Sequence, residues 1–329
     1  MRTKQWFAAM AALLMAGCSQ NEITEMNPDA DTAIGFGVYT GVQTKGTETT
    51  TGTIEAAGVG FGVVALDATK ANVYMTERNV TKSGGSWTYP NIAYWPADGS
   101  NLNFYSFAPY NGAGITKTAF ATTTPTIGFA IQSDWNDMVD FVAAKNEDVN
   151  SPSTAVSVQF KHVLTRISFT AKTSVTLATG TTVTVTGLEF LGSNNNAGSC
   201  FYESGSYNIK DEAWSGEAAK AENYSVLTGA NVGITNTPAE LLGTGKYLFC
   251  IPVTSLQADK IKVKLTYTIT SNGVTSTKAE TVSIPASHFA KGTAYVYAFV
   301  INMKGIAFTV DSTIPAWGNG GSNDFTVNN

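Results

Sequence analysis

The stretch TAVSVQFKHVLTRISFTAK, residues 154–172, indicates the fold class of this chain. It is rich in β-branched residues, and Val156, Val158 and Phe160 alternate with polar residues before His162. This two-residue period is typical of a strand with one face in a core and the other in solvent. The stretch therefore predicts a long β-strand near the middle of the chain.

Other strand-like runs lie on both sides of this stretch. The run TAIGFGVYTG alternates Ile34, Phe36 and Val38 with glycine and tyrosine, which is again the period of a half-buried strand. No long amphipathic helices separate the runs, and at most Asp211–Asn223 could hold a short helix. Since parallel sheets need such helices as crossovers, the pattern predicts an all-β antiparallel sandwich. The further runs are VGFGVVAL (59–66), NLNFYSFAPY (101–110), TTVTVTGLEFLG (181–192), KYLFCIPV (246–253), DKIKVKLTYTIT (259–270), STKAETVSIP (276–285), AYVYAFVINM (294–303) and GIAFTVD (305–311).

Composition and charge narrow the class of function. The chain has 329 residues and a net charge of -5, which argues against nucleic acid as a partner because that binding needs a clustered basic surface. Charged residues make up only 14% of the chain and hydrophobic residues 43%, and there are 31 glycines. Low charge with much Thr, Val, Tyr, Phe and Gly is typical of an all-β protein.

We expect two domains of ordinary size, divided near Lys172. Around this residue the sequence AKTSVTLATGT replaces dense aromatic strands with the small polar residues of a linker. The long strand before the division can belong to either domain. The predicted organisation is a signal peptide over 1–17, a flexible tether over 18–32, an N-terminal β-sandwich domain over 33–172 and a C-terminal β-sandwich domain over 173–329.

The N-terminus carries signals for export. Two basic residues precede an apolar run over 6–16, which is the plan of a secretory signal and is too short to span a bilayer. Small Gly17 precedes Cys18, so the site resembles a bacterial lipobox, with Met15 where leucine is usual. We therefore predict cleavage between Gly17 and Cys18 and acylation of Cys18, which would anchor the chain at the surface of the outer membrane. The alternative is an ordinary secretory signal with a chance cysteine.

Cys200 and Cys250 are the two cysteines that remain. An exported chain meets oxidising conditions, so a disulfide between them is chemically allowed. The alternative is two separate buried thiols, since Cys250 lies in the apolar run YLFCIPV and would pack there as a small hydrophobe. A zinc site is not predicted, because neither cysteine has a Cys or His companion close in sequence.

No catalytic site, metal site or cofactor is predicted. The histidines, His162 and His288, are far apart, and the hydrolase motifs G-x-S-x-G and H-E-x-x-H do not occur, so we expect structural roles for both. The acids within 134–148 could bind calcium or cleave a glycoside, but a solvated loop is the better interpretation of their spacing. The aromatic residues within 87–110 could stack on sugar rings, but core packing is the better interpretation.

A series of motifs follows the lipobox along the chain. In order they are TKG (44–46), Trp87, YWPADGSNLNFYSFAPY (94–110), DFVAAK (140–145), VSVQFKHVLTRISF (156–169), CIPV (250–253), GTAYVYAFVI (292–301) and IPAWGNG (314–320). The most specific are Tyr94-Trp95-Pro96, the Phe160-x-His162-x-Leu164 strand and the terminal Trp317. In this order and spacing the chain resembles the fimbrillin family, the lipoprotein pilins and related adhesins of anaerobic Gram-negative bacteria. The resemblance covers nearly the whole mature chain.

This resemblance implies two transthyretin-like Greek-key β-sandwich domains and assembly with other fimbrillin subunits into a surface fibre by strand exchange. In family members that polymerise, a trypsin-like protease removes the first strand after lipidation. On this chain that strand is Ile34–Val38, the candidate cleavage site is Lys45–Gly46, and Arg78 is the other candidate. The donor strand would come from the C-terminal segment that begins at Gly305, unless its last residues, NDFTVNN, are a tail rather than a donor.

Three functions stay open at this point. The first is a structural, tip or anchor subunit of a pilus that serves adhesion and lies in a fimbrium or on the outer membrane. The second is a monomeric surface lipoprotein that binds glycans or other surface receptors, with Trp87, Trp95 or Trp214 as sugar platforms. The third is an exported hydrolase built on the acids within 134–148, which no catalytic motif supports.

Overall fold

The computed structural model describes residues 32–40, 49–70, 72–150, 152–253, 257–285, 288–302, 305–311 and 325–326. Strands dominate these ranges, with one single-turn α-helix and two 3-10 turns, so the all-β prediction is confirmed. None of the helices in these ranges is long or apolar enough to cross a membrane. The predictions on Gly17, Cys18, Lys45, Gly46 and Trp317 lie outside the described residues.

The described strands form four sheets. The elements up to residue 162 are β1 (Phe36–Thr40), α1 (Thr51–Ile54), β2 (Phe61–Asp67), β3 (Val73–Ser83), β4 (Ser86–Thr88), β5 (Leu102–Ala108), β6 (Ile115–Ala119), β7 (Thr126–Ala130), a 3-10 turn (Trp135–Asp137), β8 (Val142–Val149) and β9 (Val156–His162). The later ones are β10 (Thr165–Thr173), β11 (Thr181–Phe190), β12 (Tyr202–Asn208), β13 (Ala213–Ala219), β14 (Tyr224–Ile234), β15 (Ala239–Glu240), β16 (Leu248–Cys250), a second 3-10 turn (Ala258–Lys260), β17 (Lys262–Ser271), β18 (Val274–Ser283), β19 (Ala294–Asn302), β20 (Gly305–Asp311) and β21 (Phe325–Thr326).

The stretch 154–172 forms two strands instead of the single long strand that its pattern predicts. β9 ends at His162 and β10 begins at Thr165, and the two strands belong to different sheets. Val163 and Leu164 connect them, and both are buried, so the chain stays in the core while it changes sheet. The hydrophobic pattern hides this junction because apolar residues continue through it.

The largest sheet has the strand order β1-β9-β8-β5-β2-β3-β4. Its central strands β2 and β5 are buried on both faces, which explains why their sequences are apolar at nearly every position. Phe61 and Val63 of β2 pack in one core cluster together with β1, whereas Val64 and Leu66 pack in a second, larger cluster. This sheet therefore lies between two cores.

A four-stranded sheet of order β13-β12-β7-β6 contains strands from both sides of the division that we predict at Lys172. Ile127 of β7 lies opposite Tyr207 of β12, and both belong to the larger core cluster. The division stays a prediction, but strands from the two halves of the chain share this sheet and this core. The stretch 211–223, where the sequence allows at most a short helix, forms β13 instead, because pairing with β12 overrides the helix propensity of its Ala and Glu residues.

The other two sheets pack face to face. One has the order β15-β10-β19-β20-β21, with β16 also beside β10, and the other has the order β14-β11-β17-β18. Between them the ring centroid of Phe169 lies 5.7 Å from that of Tyr297 and 5.9 Å from that of Phe190 on the facing sheet. Among the described strands, β1 with β9 and β10 with β19 are the parallel pairs, and the other pairs are antiparallel as predicted.

Candidate functional site: the first strand and its groove

The first described strand, β1, lies at the edge of the largest sheet and packs against the smaller core cluster. Ile34, just before it, and Phe36 are 1% and 6% exposed. The ring of Phe36 makes edge contacts with Phe61 and Phe104, both at 5.9 Å between centroids. A third edge contact joins it to Tyr89 at 5.6 Å. At about 1.5–3 kcal/mol for each side chain, burial of these two residues stabilises the fold by about 3–6 kcal/mol.

Backbone hydrogen bonds hold β1 mainly along one edge. It runs parallel to β9 over five residue pairs, starting with Phe36 opposite Val156. Beyond this ladder, the N–H of Ile34 donates to the carbonyl of Ala93 at 2.9 Å, and the hydroxyl of Tyr89 donates to the carbonyl of Ile34 at 2.7 Å. Because β1 is the last strand of its sheet, its departure breaks no ladder between other strands.

Departure of β1 would open an apolar groove beside the free edge of β9. Side chains that share the core with β1 would line this groove: Phe61, Tyr89, Trp95, Phe104, Val156, Val158 and Phe160. An apolar groove next to unpaired backbone groups is relieved when a strand from another chain enters it. The groove therefore fits a strand whose apolar residues alternate as Ile34, Phe36 and Val38 do.

The C-terminal part of the chain contains a sequence of this kind. IGFGV (34–38) and IAFTV (306–310) have identical apolar residues at the same three positions. The second sequence lies in β20, which pairs with β19, and β21 then pairs with β20 over two residue pairs. The match lies within the C-terminal segment that the family resemblance suggests as the donor. It can be recognised from the sequence alone.

Separate contacts hold the two sides of the segment that contains Lys45. Before it, β1 ends at Thr40, which pairs with Phe160 of β9. After it, the N–H of Thr49 donates to Oδ2 of buried Asp140 at 3.0 Å, and Oγ1 of Thr49 donates to the carbonyl of Asp140 at 2.6 Å. Nδ1 of His162 lies 2.8 Å from the same Oδ2. A cut at Lys45 would thus leave Thr49 attached and break the covalent link to β1.

The other candidate cleavage site, Arg78, lies inside β3, opposite Val63 of β2. Its guanidinium donates through Nε to the carbonyl of Asn91 at 3.2 Å, and through a terminal nitrogen to Oγ1 of Thr76 at 2.7 Å. Proteases cut most readily where the backbone is exposed and unpaired. Cleavage at Arg78 would first require β3 to leave β2, so these contacts argue against this candidate.

Cys200 and Cys250 are both buried free thiols. Cys250 lies in β16 opposite Thr165 of β10, and burial raises the pKa of its thiol well above the usual value. Sγ of Cys200 donates to the carbonyl of Gly198 at 3.6 Å. The structure therefore contains two separate buried thiols, which is the alternative to the disulfide.

The two histidines have different surroundings, and one of them contacts an acid of the 134–148 stretch. His162 contacts Asp140, whereas His288 is buried with its ring 5.1 Å from that of Tyr295, and burial lowers the pKa of His288. The side chain of Asp134 caps the first 3-10 turn. The described residues contain no group of three His, Cys, Asp or Glu side chains that could hold a metal ion. Asp140 is fully buried, so the expectation of a solvated loop is wrong at this residue.

The three tryptophans that could have served as sugar platforms are partly or fully covered. Trp95 is only 3% exposed, so it lies in the core. The indole N–H of Trp214 donates to the carbonyl of Val163 at 2.8 Å, and the ring of Trp87 packs on Phe61 at 5.4 Å between centroids. A cavity of about 590 Å³ at the ends of β11 and β14 is lined mainly by threonines and has no aromatic ring or charged group.

Comparisons with known proteins show the family of this chain. The model of a family described as fimbrillin-like matches residues 35–317. The chain is 31% identical over 382 residues to fimbrium subunit Fim1C of Phocaeicola vulgatus, with 99% of this chain and 100% of that protein covered. The crystal structure of a fimbrial protein from Bacteroides vulgatus matches with a TM-score of 0.71 and 26% identity, over 87% of this chain and 99% of the other. The chain therefore belongs to the fimbrillin-like family.

Proposed function

We propose that this chain is a structural subunit of an adhesive fimbrium, made as a lipoprotein and assembled by exchange of its first strand. The observation that carries the proposal is β1: it is the last strand of its sheet, yet its Phe36 and Val38 pack in a core. Membership of the fimbrillin-like family and the likeness to fimbrium subunit Fim1C support the same function.

Export and anchoring come first in this proposal. The signal peptide is removed after Gly17, Cys18 is acylated, and the lipid holds the subunit at the outer membrane. A trypsin-like protease then cuts after Lys45. The lipid leaves with the excised segment, because Cys18 and β1 lie on the same side of the cut. Gly46 becomes the new N-terminus, and Thr49 keeps its contacts with Asp140.

Strand exchange follows from the exposed groove. The C-terminal segment of another subunit enters it, and IAFTV (306–310) supplies the same apolar residues that IGFGV (34–38) supplied before. Exchange of matched residues restores the buried apolar area, so the acceptor loses little stability in the finished fibre. Since the donor and acceptor surfaces differ, the contact is head-to-tail and does not close, and it grows into a filament.

The test of cleavage is treatment of the purified secreted chain with trypsin. We expect SDS-resistant ladders on gels, and a new N-terminus at Gly46 by sequencing of the product. Lys45→Gln should abolish the ladder, because the cut is lost. Arg78→Gln is the matched control, and it should leave the ladder unchanged. A wild-type protein that stays monomeric after cleavage at Lys45 would rule out the stalk-subunit function.

The test of the donor uses a peptide. GIAFTVD (305–311), added to the trypsin-treated subunit, should fill the groove and stop ladder growth. The control peptide has the same composition with Phe308 and Thr309 exchanged, which breaks the two-residue period. If both peptides inhibit equally, the groove does not select this pattern and the donor assignment is wrong. Glycan binding by a monomer has less support, because the tryptophans that could form sugar platforms are partly or fully covered.

A further inference from the structure

The free edge of β18 presents a second surface for pairing. β18 is the last strand in the sheet β14-β11-β17-β18, so among the described residues it has a neighbour on one side only. It is ten residues long and exposed along most of its length, and Val274 at its start is 73% exposed. Long exposed edge strands either pair with another strand or carry features that prevent pairing.

The hairpin geometry determines which backbone groups of β18 face outward. β17 and β18 are joined by Asn272 and Gly273, with φ of 47° and 80°, in a two-residue turn that places Ser271 opposite Val274. Antiparallel residue pairs alternate between hydrogen-bonded and non-hydrogen-bonded. Starting with Thr275, every second residue of β18 therefore points its N–H and C=O away from β17. These residues are Thr275, Thr277, Ala279, Thr281 and Ser283.

The two charges of β18 are arranged around the middle of this outward set. Lys278 and Glu280 flank Ala279 and lie on the same face, opposite Tyr267 and Leu265 of β17. In an antiparallel pair of two copies with Ala279 opposite Ala279, each Lys278 faces Glu280 of the other copy.

Neighbouring registers lack this match. Sliding the two copies to the next register that keeps the outward groups paired puts Lys278 opposite Lys278, or Glu280 opposite Glu280. Like charges directly opposite each other destabilise a sheet, and opposite charges stabilise it. A lysine on an edge strand ordinarily prevents pairing, but here the glutamate two residues later neutralises it in one register only.

We propose that β18 pairs with β18 of a second copy of this chain, antiparallel and centred on Ala279. The pair would continue one sheet across both copies, and its two-fold symmetry would close the contact at a dimer. This contact is separate from the exchange of β1, since it requires no cleavage and uses the other half of the chain. Within fimbria it would join subunits of neighbouring filaments side by side.

The first experiment is cross-linking of the full chain, not treated with protease, in a Cys18→Ser background. Ala279→Cys should form a disulfide-linked dimer under mild oxidation. Cα atoms of a hydrogen-bonded pair lie about 5.5 Å apart, within the range of about 4.4–6.8 Å that a disulfide spans. Cys200 and Cys250 are buried, which leaves the introduced thiol as the accessible one.

The control for cross-linking is Thr275→Cys. Its counterpart in the dimer lies eight residues along the pair, about 27 Å away at about 3.4 Å per residue, so this variant should stay monomeric. Both introduced thiols should react equally fast with a soluble thiol reagent. Equal cross-linking of the two variants, or none at position 279, would overturn the proposal.

The second experiment changes the charges and measures the dimer association constant by sedimentation equilibrium. Lys278→Glu and Glu280→Lys each place like charges opposite each other on both sides of the Ala279 pair. Each variant should therefore weaken association by about tenfold or more. The double variant Lys278→Glu/Glu280→Lys restores both attractive pairs and should return to within about threefold of wild type. A double variant as weak as the single ones would exclude this register.

Discussion

β9 and β10 follow each other in the chain, and each has a parallel neighbour from a distant part of the sequence. β9 pairs with β1 over five residue pairs, and β1 is the last strand of its sheet. β10 pairs with β19 over eight residue pairs, and β19 has β20 on its other side. β1 can therefore leave without separating other strands, whereas loss of β19 would divide its sheet.

The two parallel partners also belong to different cores. Phe36 of β1 packs in the smaller cluster, which includes Val156 and Val158 of β9. Tyr297 and Phe299 of β19 pack in the larger cluster, to which both halves of the chain contribute. The strand that we propose to be exchanged thus covers the smaller core. Its removal should leave the larger core, and the sheets around it, folded.

The largest expected effect comes from a change on the β10–β19 side. Phe169→Ala removes a fully buried ring that lies 5.7 Å from Tyr297 and 6.1 Å from Phe299. We expect the free energy of unfolding to fall by about 3–5 kcal/mol, as measured by urea denaturation. Because strands from both halves share this core, tryptophan fluorescence and circular dichroism should report one common transition. Two separated transitions would show that the halves unfold independently. That result would contradict the conclusion that the two halves share the larger core.

A local effect is expected from Phe36→Ala on the β1 side. The lost ring contacts should make β1 leave β9 more often and lower stability by about 3 kcal/mol at most, since an edge strand can relax around the cavity. Hydrogen exchange should speed up at Val156, whose N–H donates to the carbonyl of Gly35 at 2.8 Å, while the amides of β19 keep their protection. Equal loss of protection in β19 would contradict the separation of the two cores.

The local patterns of the sequence predict the strands well but not their neighbours. The alternation of Ile34, Phe36 and Val38 correctly indicates a strand with one buried face. The parallel partners β9 and β19 are not predictable in this way, because pairing between distant segments depends on tertiary packing. The junction at Val163 and Leu164 is hidden for a related reason, since buried linkers and buried strands have the same composition.

Some features of the candidate site are likewise predictable from local motifs, and others are not. Local motifs indicate the lipobox at Cys18 and basic Lys45, and these stay predictions because both residues lie outside the described ranges. The hydrogen bond from Thr49 to Asp140 joins residues 91 positions apart, so no local motif could indicate it. The expectation that the acids near Asp140 form a solvated loop fails there because the carboxylate is buried, with its Oδ2 in contact with Thr49 and His162.

The smallest expected effect depends on pH and again concerns the β19 side. His288 is 4% exposed, its ring lies against Tyr295 of β19, and burial lowers its pKa from the usual value of 6.5. Below about pH 6.5 the unfolded chain therefore binds a proton more readily than the folded one, and the free energy of unfolding falls as the pH falls.

His288→Gln removes this pH dependence and leaves His162 in place. The difference in unfolding free energy between wild type and variant should therefore shrink as the pH is lowered from about 7 to about 5, until His288 is protonated in the folded state as well. The loss of protection on acidification should appear in the amides of β19 and not in those of β9, because His288 contacts β19. A difference that stays constant over this pH range would mean that the folded and unfolded chains bind the proton equally well, and burial would then not control the pKa of His288.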